Sequence, residues 1–416
     1  DAQTGNSSLR WTLTGPRGAV VSGRTFTGSD SADNLSVFDL AAGDYVLTIY
    51  GTAAAYQFRV LDMAMANDLP IGGTVSGQLS PANATDLYSF HADAGEKFYF
   101  DRISETGGNT YWRLLDPYGR VVWGSNDFNA DAGLYTLAYT GTYTLMMEGR
   151  YNATGTGSYS FKVQNVVDGT QALNLGETIN SNLAVKGQSQ SFTFTLDQDT
   201  QVYFDNLTTA SQFETYYLRW YLTGPRGTVV SDKPFRDSDS ANGTSIYDLA
   251  AGDYTLTVVA TNEIVGNFSF RLLDLAEGAA IALGDVVAGA LDPANRTDVY
   301  KFDANAGDSV WFDRLSRSGG SVYWRLLDPY GRAVWGPNYI DYDYQVSPQT
   351  LAYSGTYTLL VEGYYNDSGS LSYSFKVQPV VKETAELTLN SVQTGSIATV
   401  GEQDIYTFTL TETKRI

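Results

Sequence analysis

Large apolar residues alternate with small polar residues in many short segments of this chain. In residues 254–258, Tyr, Leu and Val alternate with Thr, and in residues 159–163, Tyr, Phe and Val alternate with Ser and Lys. A period of two with one polar face is typical of a half-buried antiparallel strand. A helical period is not sustained anywhere in the sequence. The pattern therefore predicts an all-β protein.

One hairpin marks how the chain is organised. The ten residues YWRLLDPYGR occupy positions 111–120 and recur letter for letter at 323–332. Asp, Pro and Gly at the first, second and fourth positions of Asp-Pro-Tyr-Gly are the residues of a type I turn between two apolar strands. A looser version with Gly-Pro-Arg-Gly occurs at 15–18 and 224–227. The repetition indicates a tandem array.

Two module types alternate, type A with the Gly-Pro-Arg-Gly turn and type B with the Asp-Pro-Tyr-Gly turn. Short strands with turn signals every ~8–12 residues predict tandem antiparallel β-sandwich modules, jelly-roll-like in their connections and roughly 100 residues long. The predicted segments are the C-terminal part of a type-A module (1–64), a type-B module (65–166), a complete type-A module (167–275), a second type-B module (276–379) and the N-terminal part of a type-A module (380–416). The first and last segments together make almost one type-A module.

The composition limits the classes of function that the chain can have. A net charge of −20 and a pI near 4.3 argue against nucleic-acid binding, because few cations are present to neutralise phosphates. The acidity is compatible with solubility and with divalent cations. Without cysteine the chain has no disulfide, which is ordinary for extracellular bacterial proteins. No run of apolar residues is long enough to predict a membrane span.

The sequence predicts no enzyme. His91 is the single histidine and there is no cysteine, so neither a Ser-His-Asp nor a Cys-His unit can be assembled. Asp101 and Asp313 recur between Phe and Arg in the two type-B modules. Paired carboxylates can hydrolyse glycosides. We expect these two instead to satisfy turn backbone or to pair with Arg102 and Arg314.

Polar loops with several oxygen donors suggest calcium as a cofactor, although the spacing fits neither an EF-hand loop nor a nonapeptide repeat. The alternative is a set of solvated loops rich in turn-forming residues. The candidate ligands are Asp30, Asp33, Asn34, Asp127, Asp131, Asp237, Asp239, Asn242, Asp341 and Asp343.

Aromatic residues near the repeated turns suggest a second kind of site. Exposed rings stack on sugars, so Trp123, Trp335, Tyr339 and Tyr342 are candidates for binding a glycan or another polymer. The alternative is that these rings fill module cores or junctions.

The order of motifs in residues 276–379 resembles the bacterial pre-peptidase C-terminal domain family. It comprises Gly-Ala-Leu at 289–291, Asp-Val-Tyr-Lys-Phe at 298–302, Leu-Asp-Pro-Tyr-Gly at 327–331 and Tyr-Ser-Phe at 373–375. The resemblance implies jelly-roll accessory modules of secreted proteases or of large repetitive surface proteins, some of whose relatives bind calcium or polymeric substrates. The module at 167–275 departs from it, with Gly-Pro-Arg-Gly in place of Asp-Pro-x-Gly.

The favoured function is structural. These observations predict a segment of an extracellular bacterial repeat array, such as an adhesin, surface fibre or filament, whose partners are adjacent modules or neighbouring copies. Because half a sandwich leaves sheet edges open, the last strands of one copy are expected to complete the first segment of the next. Two alternatives are a window of a longer covalent array and polymer-binding accessory modules of a secreted hydrolase.

Overall fold

The computed structural model describes residues 1–29, 37–107, 109–208, 216–238, 246–261, 264–413 and 415–416. These residues form strands and short 3-10 helices, which confirms the predicted all-β class and the repeated organisation. They divide into two compact units, Asp1–Val167 with Val185–Gly187 and Asp168–Ala184 with Gln188–Ile416. Among the described residues, every helix falls short of the length and apolar character needed to cross a membrane.

In the first unit, residues 1–64 contribute one three-stranded sheet with the order β2-β1-β3. Its strands are β1 (Leu9–Gly15), β2 (Gly18–Thr25) and β3 (Val46–Gly51), with 3-10 helices at Thr27–Ser29 and Met63–Met65.

Residues 65–166 form a five-stranded sheet, β4-β6-β11-β8-β9, and a four-stranded sheet, β10-β7-β12-β5. The strands are β4 (Asn67–Asp68), β5 (Thr74–Leu79), β6 (Thr85–Ala92), β7 (Lys97–Thr106), β8 (Thr110–Leu115), β9 (Val121–Asp127), β10 (Gly133–Thr136), β11 (Gly141–Gly149) and β12 (Gly157–Val166).

The second unit contains the same arrangement twice. Residues 168–275 form the sheets β13-β15-β20-β17-β18 and β14-β21-β16-β19. The strands are β13 (Gly169–Ala172), β14 (Ile179–Leu183), β15 (Ser189–Leu196), β16 (Thr200–Asn206), β17 (Leu218–Gly224), β18 (Gly227–Pro234), β19 (Ile246–Leu249), β20 (Gly252–Ala260) and β21 (Gly266–Asp274), with 3-10 helices at Arg236–Ser238 and Leu275–Glu277.

Residues 276–379 form the sheets β22-β24-β29-β26-β27 and β23-β30-β25-β28, and the last residues form the parallel pair β31-β32. The strands are β22 (Ala279–Ala280), β23 (Val286–Leu291), β24 (Thr297–Ala304), β25 (Ser309–Ser318), β26 (Val322–Leu327), β27 (Ala333–Tyr339), β28 (Gln349–Thr350), β29 (Gly355–Gly363), β30 (Leu371–Pro379), β31 (Lys382–Glu386) and β32 (Gln403–Thr407), with a 3-10 helix at Ile340–Gln345.

Each pair of sheets encloses a separate apolar cluster. In residues 65–166, Trp112 of the five-stranded sheet meets Phe161 of the four-stranded sheet at 6.4 Å between ring centroids. In residues 168–275, Trp220 stacks on Phe204 at 4.2 Å. The alternating residues that predicted half-buried strands thus supply the cores, because every second side chain of a strand points to the same face.

The repeated Asp-Pro-Tyr-Gly turn is held by its aspartate, as the residue set predicts. The Asp116 carboxylate accepts the backbone N–H groups of Tyr118 and Arg120, each at 2.9 Å, and the Arg120 Nε–H at 2.8 Å. Gly119 donates its N–H to the Asp116 carbonyl at 2.9 Å and has a φ of +74°, where a side chain would be strained. Asp328 makes the same contacts in the second copy.

Replacing Asp328 by asparagine is expected to cost about 1 kcal/mol at pH 7, because the charged hydrogen bond to Arg332 is lost. Burial alone would raise the pKa of Asp328, but hydrogen bonds from Arg332 and Tyr330 outweigh it and hold the pKa below its ordinary value. This contribution is therefore present at neutral pH and disappears as the pH falls through the folded-state pKa. Urea unfolding of both proteins at pH 7 and at a series of acidic pH values checks this, since the difference should shrink as the pH falls towards the lowered folded-state pKa. An equal difference at all of these pH values would contradict it.

Candidate interaction site at the module junctions

In the second unit, a small apolar cluster joins residues 168–275 to residues 276–379. Its buried members come from β16, β21, the helix that follows β21, β26 and β29. They are Tyr203, Leu273, Leu275, Leu327 and Leu360, with Ile246 and Val299 packed at the edge. The four-stranded sheet of residues 168–275 and the five-stranded sheet of residues 276–379 therefore share an apolar contact.

A buried ion pair lies beside this cluster. The β16–β21 register places Asp205 directly opposite Arg271, and the Arg271 guanidinium donates two hydrogen bonds to the Asp205 carboxylate, the Nε bond measuring 2.8 Å. The side chains are 0% and 7% exposed. Arg271 Nη2 also donates to the Thr297 carbonyl in β24 at 2.8 Å. The guanidinium thus binds one oxygen of a carboxylate in residues 168–275 and a backbone acceptor in residues 276–379.

A second polar contact crosses the junction in the other direction. Tyr203 donates its hydroxyl to Glu362 Oε1 at 2.7 Å, and Glu362 faces Arg325 at 3.4 Å. Burial raises the pKa of the Glu362 carboxyl, and the charge of Arg325 opposes that rise. Asn295 Nδ2 adds a hydrogen bond to the Asn206 carbonyl at 3.1 Å. Buried polar groups with matched partners fix how two surfaces fit together.

The first unit repeats part of this geometry. Asp1 and Arg59 occupy the positions of Asp205 and Arg271, since Ala2 pairs with Phe58 as Asn206 pairs with Phe270. Arg59 Nη2 lies 2.7 Å from the Asp1 carboxylate and donates to the Thr85 carbonyl at 2.7 Å. The Arg59 side chain is 42% exposed, however. The junction is therefore built from the same residues but is less enclosed.

An open groove accounts for this exposure. It has a volume of about 1240 Å³ and lies between residues 1–64 and residues 65–166. Its lining includes Trp11, Leu47 and Ile49 on one side and Leu87 and Met146 on the other. The sequence of residues 1–64 contains no counterparts of β13–β15 or of β16 before Asp205, the segments that cover the equivalent surface in residues 168–275.

The alternating segment at residues 56–60 shows what the lack of those strands does. Its aligned residues in β21 are Phe268, Phe270 and Leu272, which are at most 1% exposed. Tyr56, Phe58 and Val60 are instead 53%, 37% and 75% exposed. The segment makes one isolated bridge, between Ala2 and Phe58, in place of a strand. Alternation predicts a strand here, but strand formation needs a partner backbone.

Several predicted calcium ligands make hydrogen bonds or ion pairs with protein cations. Asp341 accepts Arg317 Nη2 at 2.7 Å and lies 3.4 Å from Arg314, and Asp237 pairs with Arg236 at 3.2 Å. Hydrogen bonding to Arg317 lowers the pKa of Asp341.

The remaining predicted ligands are spread over several elements. Asp127 ends β9, while Asp30, Asp33, Asn34, Asp239 and Asn242 lie outside the described residues. Within the described ranges, no group of three or more His, Cys, Asp or Glu side chains is arranged to hold a metal ion.

Asp131 and Asp101 meet a lysine that the sequence did not suggest. Lys186 Nζ lies 2.8 Å from Asp101 and 3.0 Å from Asp131, so Asp101 pairs with this lysine. Burial alone would lower the pKa of Lys186, but the two carboxylate hydrogen bonds raise it. The equivalent carboxylates of the second unit are Asp313 and Asp343, and the residue aligned with Lys186 is Val400. Burial and the charge of Asp343 raise the pKa of Asp313.

Replacing Lys186 by methionine is expected to destabilise strand β7 by about 1–2 kcal/mol, because two carboxylates lose their shared cation. Hydrogen exchange of peptides covering β7 at pH 7 measures this loss. The reciprocal change Val400→Lys should protect β25, with Val400→Met as the control for side-chain length. If Val400→Lys and Val400→Met protect β25 equally, the electrostatic explanation fails.

The predicted aromatic site residues divide by burial. Trp123 is 6% exposed and belongs to the core, 5.4 Å from Trp112 between ring centroids. Trp335 is half-buried against Phe312 at 4.9 Å. Tyr339 is also half-buried and contacts Tyr342, which is 47% exposed. Of the four predicted residues, the exposed one is therefore Tyr342, which lies just after β27.

The sequence prediction missed the junction residues Tyr203, Arg271 and Glu362. One feature of the sequence could have indicated Glu362. Glu148 and Glu362 are the single acidic residues at the same place in strands β11 and β29, each directly after three apolar residues, and both are buried. A repeated acid in an apolar strand indicates a buried polar partner. The partner itself could not be identified, because Tyr203 is 159 residues from Glu362.

Comparison with known proteins adds no family assignment. No protein-family model and no curated protein matches the chain. Among solved structures, Salmonella Typhimurium PliG, a periplasmic lysozyme inhibitor of g-type lysozyme, is 19% identical, covering 24% of this chain and 98% of that chain with a TM-score of 0.17.

Two further solved structures also have low sequence identity and low TM-scores. The CUB1-EGF-CUB2 domain of human MASP-1/3 is 9% identical over 49% of this chain and 100% of that chain, with a TM-score of 0.18. A structure described as a triple jelly roll fold and turret assembly in an archaeal virus is 12% identical over 82% of this chain and 88% of that chain, with a TM-score of 0.14. TM-scores this low do not establish a common fold.

Proposed function

We propose that this chain is a non-catalytic structural and interaction protein, a segment of an extracellular bacterial array of β-sandwich modules. The observation that carries the proposal is the module junction. Its conserved geometry within the chain, with Asp205 and Arg271 matched by Asp1 and Arg59, uses buried polar groups to fix one module on the next. Such contacts hold neighbouring modules in a fixed orientation and transmit mechanical load along an array.

The sheet arrangement supports jelly-roll-like sandwiches as the repeating element. A five-stranded and a four-stranded sheet enclose each of three apolar clusters, and the ladders within them are mainly antiparallel. The strands of a parallel β-helix pair instead with their equivalents in the next coil, along one continuous core. The acidity and the lack of cysteine support the extracellular bacterial setting.

Calorimetry of junction variants tests the structural function. If the junction couples the two modules, residues 168–379 should unfold as one cooperative transition, and Leu275→Asp, which places a charge in the buried cluster, should split it into two. Leu315→Asp is the matched control, because Leu315 is 43% exposed. Independent transitions in the unmodified protein would contradict the proposal.

Binding of a glycan or another polymer is a second candidate function, as expected for an accessory segment of a secreted hydrolase. It is favoured by Tyr342 and Tyr344, which are 47% and 63% exposed and whose ring centroids lie 6.1 Å apart. A double Tyr342→Ala, Tyr344→Ala variant should lose binding on a glycan array, whereas Tyr330→Ala, a change at a 67% exposed ring elsewhere, should not. Unchanged array binding by the double variant would exclude this face.

A further inference from the structure

We propose that a row of six tyrosines in residues 276–379, together with Tyr216 of residues 168–275, binds a neutral polysaccharide. The six, called the tyrosine strip, are Tyr323, Tyr339, Tyr342, Tyr344, Tyr364 and Tyr365. The site extends that of Tyr342 and Tyr344 and therefore rests on polymer binding, the second candidate function.

The rings of the tyrosine strip contact one another in an unbroken row. Neighbouring ring centroids lie 4.5–6.1 Å apart in the order Tyr344, Tyr342, Tyr339, Tyr323, Tyr364 and Tyr365. The β26–β27 register places Tyr323 directly opposite Tyr339. Each ring of the strip is partly or largely exposed. The row thus connects the 3-10 helix after β27 with the residues that follow β29 and remains open to a ligand.

Residues 65–166 form the same two sheets without this row. Asp127 replaces Tyr339 there, since it lies opposite Tyr111 as Tyr339 lies opposite Tyr323. The other replacements are Ala130 for Tyr342, Ala132 for Tyr344 and Arg150 for Tyr364. Because the sheets form with and without these rings, the module fold does not require them. Their contribution is therefore made at the surface of residues 276–379.

Tyr216 extends this surface onto residues 168–275. Its ring is 39% exposed, and the Arg236 guanidinium lies over it, 4.6 Å from the ring centroid. The hydrogen bond to Asp237 is the largest cause that raises the pKa of Arg236, and interactions with Tyr365 and Tyr216 add to it. Arg236 thus links a ring of residues 168–275 to the end of the tyrosine strip.

The charges beside these rings favour a neutral ligand. The arginines that lie over Tyr216 and Tyr339 are each paired with an aspartate. The pairs are Arg219–Asp232 at 3.9 Å, Arg236–Asp237 at 3.2 Å and Arg317–Asp341 at 2.7 Å. A cation that is already paired attracts an anionic group weakly, and the net charge of −20 repels a polyanion.

A polysaccharide has the chemistry that such a row recognises. A sugar unit presents a face of C–H groups and a rim of hydroxyls. A tyrosine ring packs on the face, and its hydroxyl donates to or accepts from the rim. The Asp341 carboxylate, 27% exposed beside the strip, is a further acceptor for sugar hydroxyls. Because the rings follow one another, successive sugar units can each contact a ring.

Affinity electrophoresis of the full chain tests the class of polymer. Gels with hydroxyethyl cellulose, soluble starch or galactomannan present neutral polysaccharides, and gels with alginate present an anionic one. We expect at least one neutral polysaccharide to retard the chain and alginate to leave its mobility unchanged. Retardation by alginate alone, or by none of these polymers, would overturn the proposal. So would binding of a polyproline peptide in their place, since Pro-rich helices also dock on aromatic residues.

Substitutions that copy the other modules test the position of the site. Tyr342→Ala, Tyr344→Ala introduces the residues found at 130 and 132, and Tyr216→Ser introduces the residue found at 7, so both variants should fold. Titration calorimetry with fragments of the retarding polysaccharide should show affinity reduced roughly threefold to tenfold for each ring removed. Tyr118→Ala, at a 63% exposed ring in residues 65–166, is the control and should bind unchanged.

The length of the fragment tests the extent of the site. Affinity should rise with the number of sugar units, and Tyr216→Ser should weaken binding of long fragments only. If the double variant loses affinity but Tyr216→Ser binds long fragments as the unmodified chain does, the extended site is wrong and the second candidate function stands. If the double variant also binds unchanged, both the extended site and the second candidate function fail.

Discussion

Replacing Arg271 by methionine is expected to reduce the stability of the second unit by about 3–5 kcal/mol, because the change leaves Asp205 charged and unpaired in a site with 0% exposure. The Thr297 carbonyl also loses its donor across the junction. Hydrogen exchange of peptides covering β21 and β24, together with urea unfolding, measures the loss in both modules. A loss confined to β21 would show that the arginine does not couple the modules.

The chain contains its own control for this prediction. Arg59 occupies the equivalent place opposite Asp1, whose side chain is 2% exposed, but Arg59 itself is 42% exposed, so Arg59→Met should cost less than Arg271→Met because water can reach the site from the arginine side. The double variant Arg271→Met, Asp205→Leu should recover most of the stability, because apolar residues of similar size can replace a buried pair. If the double variant is no more stable than Arg271→Met alone, the unpaired carboxylate is not the cause.

Local features of this fold were predictable from the sequence because their causes are local. The turn at Asp116 needs only its four residues and the adjacent Arg120. Alternation likewise identifies strands, because each side chain's face depends on its position in the strand. Residues 56–60 alternate in the same way yet make one isolated bridge in place of a strand, because a strand requires a neighbouring backbone.

The candidate site was less predictable because its residues meet across long separations. Asp101 was expected to satisfy turn backbone or to pair with Arg102, its neighbour in sequence, and it meets Lys186, 85 residues away. Trp123 was a candidate for a sugar-binding face, yet it lies in the core. The β8–β9 pairing shifts register twice, between Trp112 and Leu115. Such bulges redirect side chains relative to simple alternation.

The paired copies within the chain turn these long-range contacts into comparisons. A residue in the complete module and its counterpart in residues 1–64 have similar neighbours in sequence, but strands pack over the first that do not pack over the second. Differences in their exposure therefore measure what the covering strands contribute. They also separate two causes of conservation between copies, local turn chemistry at Asp116 and Asp328 and contact across a junction at Arg59 and Arg271.

Trp220 and Trp11 provide the sharpest of these comparisons. Each donates its indole N–H to a serine hydroxyl at 2.7 Å, to Ser238 and Ser29 respectively. Trp220 is fully buried and stacks on Phe204 of β16, whereas Trp11 is partly exposed and residues 1–64 contain no counterpart of Phe204. Trp220→Ala should therefore cost about 3–5 kcal/mol, and Trp11→Ala about 1–2 kcal/mol in dilute solution, when both are measured by urea unfolding. Equal costs for the two variants would show that the strands packed over Trp220 contribute little to its effect on stability.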